Sequence, residues 1–245
     1  MALDLEPINF THHFLIAMPS MLDPVFGGTV VYICEHHVGG ALGVIINRPT
    51  DMTMDVLFER LDLSLEISPH VSLLPRAPVM FGGPVQVERG FVLHAPSVTY
   101  NSSLTVSDEI ALTTSRDVLE AVANGQGPQQ LLVTLGCAGW SAGQLEDEIA
   151  RNGWLTVPAD PDIIFNTPVE ARYDRALSLD TKFQDIFDDP LTNPQARRFY
   201  KINNPERPQP TLPRTYRKKD PLVPILQPAP SPSPSPAKKS KPKGN

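Results

Sequence analysis

The chain has 245 residues, and its average composition hides two unlike parts. Residues 1–180 carry eight arginines, no lysine and 22 carboxylates, a net charge of −14, whereas residues 181–245 carry 13 basic and five acidic side chains, a net of +8. A net of −14 repels phosphates and argues against nonspecific DNA or anionic-membrane binding by the first part, and no apolar run approaches the roughly 20 residues that span a bilayer.

The two cysteines, Cys34 and Cys137, lie 103 residues apart, which excludes a disulfide framework and a Cys-x-x-Cys site. The N-terminal "MALDLEPINF" lacks the basic-then-apolar pattern of a secretory signal. The expected compartment is therefore the cytoplasm, with both thiols reduced.

In chain order, "HHFLIAM" at 12–18 reads as a buried strand stopped by Pro19, and the β-branched "TVVYICEH" at 29–36 as a second. "ALGVIINRP" at 41–49 reads as a third, ended by Pro49, with Gly39–Gly40 turning the chain into a hairpin. Apolar residues at 54, 57, 58 and 61 predict a helix over 53–63 with Thr53 as N-cap. Residues 78–85 and 89–96 read as strands around the "FGGP" glycine turn, and 104–114 as two short strands or one bent one.

A well-marked helix is predicted over 114–128, capped by Thr114 or Ser115 and stopped by "NGQGP". "QQLLVTLG" at 129–136 is a buried strand, followed by a glycine-rich turn over 136–143 and a helix over 141–154 with Leu145 and Ile149 on one face. A strand at 154–159 and a helix at 167–177, with Pro168 in its first turn, complete the pattern. Strands cluster early and helices are interspersed later, which predicts an α+β domain over residues 1–180 with a mixed or antiparallel sheet curled toward a partial barrel. Residues 181–245 are Pro-rich, then Ser-Pro repeats, then lysines; they predict a disordered tail of polyproline II character, with one short helix near 183–188.

Four groups of residues bear chemistry. In "CEHH", strand alternation puts Glu35 and His37 on one face and Cys34 and His36 on the other. A metal needs three or four convergent ligands, so the reading is a polar hairpin end without a metal, unless His12 and His13 supply the rest. "GCAGWSAGQLEDE" at 136–148 is either a tight structural turn covered by Trp140 or an anion-holding loop at a helix N-terminus. It matches neither the P-loop nor the dinucleotide fingerprint.

Cys137 in that turn is either an inert thiol or a nucleophile of lowered pKa, with His12, His13, His36, His37 or His94 as its base. Asn47–Arg48 at a strand end can hold a carboxylate or phosphate, or pair with the acidic surface. No catalytic residue and no cofactor motif is marked out. The candidate ligand-binding residues are Asn47, Arg48, Gly82, Gly83, Gly136, Gly139 and Trp140.

The segments "FLIAMP", "FGGTVVYICEH", "GALGVIINRP", "FGGPV", "RGFVLH", "LGCAGWSAGQLEDEI", "NGWLTVPAD" and "IIFNTPVEARYDRAL" together resemble the YqgE/AlgH family through nearly all of residues 1–178. The resemblance implies a bacterial, cytoplasmic protein with a mixed, largely antiparallel bent sheet forming a pseudo-barrel with flanking helices. It also implies a link to transcriptional regulation, and it brings no catalytic residues. Relatives commonly carry an aromatic where Cys137 stands, which argues against a catalytic thiol. They also end soon after the last helix, so residues 181–245 read as an added arm or as a fused or shifted reading frame.

The expected function is a noncatalytic binding or regulatory protein whose partner is a protein or a small anionic ligand, with no membrane contact and no direct DNA contact by the domain. The alternative is a hydrolase or thiol-dependent enzyme built on Cys137 or the histidines.

Overall fold

The computed structural model describes residues 9–64 and 74–180; the tail and the short helix expected near 183–188 lie outside the described residues. The β-branched runs become strands of one curled sheet: β1 (His13–Ala17), β2 (Val30–His37), β3 (Gly40–Ile45), β4 (Pro49–Thr53), β5 (Pro78–Phe81), β6 (Val85–Ala95), β7 (Ser103–Thr105), β8 (Ala111–Thr113), β9 (Gln130–Ser141) and β10 (Trp154–Pro158). Their order is β10-β1-β2-β3-β9-β6-β8-β7, with β4 joined through β5. Among the described residues, only β5 against β9 is parallel. The helices are α1 (Met54–Arg60), α2 (Asp117–Ala123), α3 (Gln144–Ala150), α4 (Pro161–Phe165) and α5 (Arg172–Leu177). This is the α+β fold with a bent, largely antiparallel sheet that the sequence implied.

Both faces of the sheet are covered. On β2, Val30, Tyr32 and Cys34 enter a core shared with Phe14, Ile16, Val44 and the α4–α5 residues Ile163, Ile164, Ala176 and Leu177. Their neighbours Val31 and Ile33 enter a second core with Leu15, Ile45, Trp140, Trp154 and Leu145 of α3. A strand buried on both faces reads as an unbroken apolar run, as this one does. A third core packs α1 and α2 against Val79, Val92 and Val133. Among the described residues, no helix is long and apolar enough to cross a membrane.

β9 is the hub. Its residues 130–135 pair with β6, Thr134 and Leu135 pair with β5, and residues 138–141 pair with β3. Gly136 bends the strand between these parts with φ of +74°. There the 82–83 backbone crosses it: an added Cβ would lie 2.2 Å from the Gly136 oxygen at Gly82, and 2.4 Å from the Cys137 carbonyl at Gly83. Those distances are forbidden to any side chain, so glycine is required by the approach of two backbones.

The expected 136–143 turn is thus mostly strand, with pairing that runs through Ser141, and α3 starts only at Gln144. Pro49 opens β4, which lies at a sheet edge where a missing N–H costs nothing. The predicted helices at 114–128 and 141–154 are shorter: α2 ends at Ala123, where "NGQGP" begins and Gly125 takes φ of +69°, and α3 is confined between β9, which holds Ser141, and β10, which starts at Trp154. The hairpin register pairs His37 with Gly40, so the turn is Val38–Gly39. Thr53 stands at the N-cap of α1, but its hydroxyl bonds the Asp55 side chain and caps no backbone N–H.

Gly83→Ala should lower stability by about 3 kcal/mol or prevent folding. Gly125→Ala, also at positive φ but facing open space, should cost about 1 kcal/mol. Urea titration of the two variants beside the parent measures the difference; equal losses would mean that the crossing is not close.

Candidate functional site

The β2–β3 hairpin end is shaped by a β-bulge. Register shifts between Ile33 and Glu35, which sit opposite Gly43 and Leu42. The extra residue, Cys34, stays in the half-barrel core, and everything after it turns over. His36 therefore leaves the face of Cys34, contrary to simple alternation. It packs on Phe10 with ring centroids 5.2 Å apart. Its Nδ1 accepts the Phe10 N–H at 3.1 Å, so Nε2 holds the proton and faces Glu146 of α3 at 3.1 Å.

Glu35 and His37 share the other side, half exposed, with His37 Nε2 3.7 Å from Glu35. They flank a shallow depression of about 170 Å³ completed by residues 39–42 and Trp140. Gly40 is required here: a Cβ would meet the Trp140 carbonyl oxygen at 2.2 Å.

Trp140 is buried behind the depression and is locked from below. Its indole N–H donates to Glu148 Oε2 at 3.0 Å, and the Trp154 indole donates to the same oxygen at 2.9 Å. The Gln144 side chain donates to Oε1 at 3.0 Å. Phe26 closes the cluster against both indoles. Gly139, exposed, stands opposite Leu42.

The other candidate residues lie elsewhere. Asn47 and Arg48 follow the far end of β3, where they tie down the preceding loop. Asn47 accepts the Val30 N–H and donates to Gly28 O. Arg48 donates to the carbonyl oxygens of Pro24 and Gly27 at 3.0 and 3.1 Å. Gly82, Gly83 and Gly136 form the backbone crossing. The seven residues thus fall into three places along β3 rather than one.

The thiols and histidines are separated too. Cys137 lies inside β9, well before α3, and burial raises its pKa against a small opposing pull from Arg89. Cys34 is fully buried, with its pKa raised by desolvation and by Cys137. His12 Nδ1 contacts the Tyr32 hydroxyl at 2.8 Å, and burial lowers its pKa. His94 sits in a different buried network. Among the described residues, no three His, Cys, Asp or Glu side chains converge as metal ligands.

Two buried charges went unmarked in the sequence. Glu148 occupies an apolar-face position of α3, three residues from Leu145 and next to Ile149. Arg172 of α5 is 6% exposed and donates to the carbonyl oxygens of Thr167 and Ile46. Burial lowers its pKa to about 10, still charged at neutral pH. The available signal for both was a charged residue on the apolar stripe of a short helix.

A family model described as AlgH-like matches residues 14–181. A UPF0301 protein of Ralstonia nicotianae is 62% identical over 173 residues, which cover 71% of this chain and 89% of that protein. A UPF0301 protein of Burkholderia vietnamiensis is 60% identical over 176 residues, covering 71% and 90%. The solution structure of the AlgH protein from Pseudomonas aeruginosa superposes with a TM-score of 0.60 at 46% identity, over 71% of this chain and 89% of that one. An X-ray structure of a Corynebacterium diphtheriae protein reaches 0.57 at 18% identity, over 72% and 91%, a likeness of fold alone.

Replacing Glu148 with Leu strands two indole N–H groups and should destabilise the protein by about 4 kcal/mol. Glu148→Gln keeps one acceptor oxygen for both indoles and should lose less than half as much. Urea titration followed by tryptophan fluorescence compares them; similar losses would show that the indole hydrogen bonds are not what matters.

Proposed function

This chain belongs to the AlgH-like family, and from that premise we propose that it is a noncatalytic binding protein that regulates through a protein partner docked on the β2–β3 hairpin end. The observation that carries the reading is a contrast. Cys34, Cys137, His36, His94 and Glu148 are buried inside the fold, whereas the hairpin tip, with Glu35 and His37 beside it, is presented to solvent. Cys137 is a buried strand residue with a raised pKa, and a thiol held protonated is a poor nucleophile. His36, His94 and Glu148 are each bound by neighbours. Val38, at the tip, is 87% exposed.

Size favours a protein over a small anion. Small-molecule pockets run from roughly 300 to 1,000 Å³, and the depression at the hairpin offers about 170 Å³. Its rim carries the Glu35 carboxylate, which repels an anion. Of the candidate residues, Gly139 and Trp140 belong to this surface. Arg48, the cation proposed for an anionic ligand, already has two N–H groups on backbone carbonyls. Regulation of transcription, on this reading, acts through the partner, because the net −14 of residues 1–180 opposes DNA. The cytoplasm remains the proposed compartment.

Val38→Glu in the full chain should reduce capture of specific partners from a cell extract at least tenfold, while Arg48→Ala and Cys137→Ser leave capture unchanged. Quantitative mass spectrometry of the captured proteins reads the result. Undiminished capture by Val38→Glu would remove the hairpin end from the interface.

A further inference from the structure

The sheet has two ends, and the longer end strand has an open edge. β10 is the first strand of the order, and β7, of three residues, is the last. The bonds between β1 and β10 fall on alternate residues. The Met18 N–H donates to Gly153 O at 3.1 Å and the Ala159 N–H to His12 O at 3.0 Å, so in the same register Phe14 bonds Val157 and Ile16 bonds Leu155. Trp154, Thr156 and Pro158 therefore turn their backbone groups away from β1. Among the described residues, nothing bonds those groups. The helices before and after β10 pack on opposite faces of the sheet, α3 through Leu145 and α4 through Ile163 and Ile164.

An open edge is a template for another strand. We propose that β10 pairs with the β10 of a second copy, antiparallel about Thr156, and that the protein is a two-fold dimer with one sheet running through both chains. The register is self-complementary. With Thr156 opposite Thr156, the outward residues of one copy face the outward residues of the other. Each Thr156 N–H donates to the other copy's Thr156 carbonyl, and each Trp154 N–H to the other copy's Pro158 carbonyl. Pro158 has no N–H to offer, so only the Trp154 carbonyl is left without a donor. A slip of one residue would set outward groups against inward ones.

Charge selects a second copy as the partner. Arg151 stands just before β10, and Asp160 and Asp162 stand just after it. Arg151 is exposed and has no ion pair among the described residues. Reversal about Thr156 sets Asn152 opposite Asp160 of the second copy and brings Arg151 toward that copy's Asp160 and Asp162, twice over by symmetry. A parallel copy would bring like charges together. The net −14 of residues 1–180 opposes approach from a distance, but at about 0.15 M salt charges more than roughly 8 Å apart are screened. The surroundings of the edge are also apolar. Met21 lies against Gly153, a Cβ there being 3.8 Å from its methyl carbon, and the next residue, Leu22, is 93% exposed.

Sedimentation equilibrium of the intact chain should give the mass of two chains at about 0.1 mM. Thr156→Pro removes the outward N–H at an edge position, where the single chain loses little, and should weaken association at least about 30-fold. Arg151→Glu should weaken it about tenfold, and Arg151→Glu combined with Asp162→Arg should restore it. Hydrogen exchange gives a readout that needs no variant: the Thr156 amide should be protected in concentrated solution and lose that protection on dilution. A chain that stays single at about 0.1 mM, a dimer whose Thr156 amide exchanges freely, or a dimer that Thr156→Pro leaves intact would each overturn the pairing.

Discussion

The sheet depends on the place where residues 82–83 cross the kink of β9. A strand can serve two differently oriented halves of a curled sheet only if it bends, and Gly136 supplies the bend at φ of +74°. The bend alone is insufficient, because the backbone arriving from β5 must pass within contact of it. With side chains at 82 and 83 it could not. Once the crossing forms, Gly82 donates to Leu135 and accepts from the Ile45 N–H, both at 2.8 Å. That fixes the end of β3. The end of β3 sets the Ile46 carbonyl, which receives Arg172, and Asn47 and Arg48, which hold the 24–28 loop.

Apolar packing is not directional, and two buried charges give this fold its directions. Glu148 lies on one side of the sheet and Arg172 on the other, each without an opposite charge in contact among the described residues. Three N–H donors surround the carboxylate, and two carbonyl oxygens hold the guanidinium. Such arrangements offset a desolvation cost of several kcal/mol per ion only when the geometry is right. Each therefore disfavours alternative packings: Glu148 orients both indoles beneath the hairpin, and Arg172 keys α5 to the end of β3. Glu148 thereby links α3 to the exposed hairpin surface through Trp140.

Much of this was legible in the sequence. The strands at 12–18 and 29–36 and the hairpin follow from β-branched runs broken by Gly and Pro, and all of them form; of the two readings of 104–114, two short strands is the one that forms, as β7 and β8. What alternation could not reveal was the bulge at Cys34, because an inserted residue changes register without changing composition. It moved His36 off the face of Cys34 and onto Phe10. The 136–143 stretch misled for a related reason. Glycine marks both a turn and a close backbone approach, and local sequence does not say which; the partner at 82–83 lies over fifty residues away. α4 had a readable signal in Asp160–Pro161, an N-cap followed by proline at the first helical position. Its five residues were too short for periodicity to show.

The same ambiguity governs the site. Gly, Asn and Arg near strand ends are the residue types that hold ligands, and also those that hold backbones. Their present contacts separate the two uses. Gly82, Gly83 and Gly136 sit against other backbones, and Asn47 and Arg48 on loop carbonyls, so a ligand at these places would have to displace part of the fold. Gly139, the Glu35–His37 side and Val38 face outward, on a hairpin held rigid by the Gly40–Trp140 approach and by the indole–carboxylate cluster beneath it. Rigidity matters here, because a preorganised surface does not lose its own ordering entropy when a partner arrives. An exposed apolar tip on a fixed support, beside a depression smaller than a small-molecule pocket, is what supports the proposed docking surface.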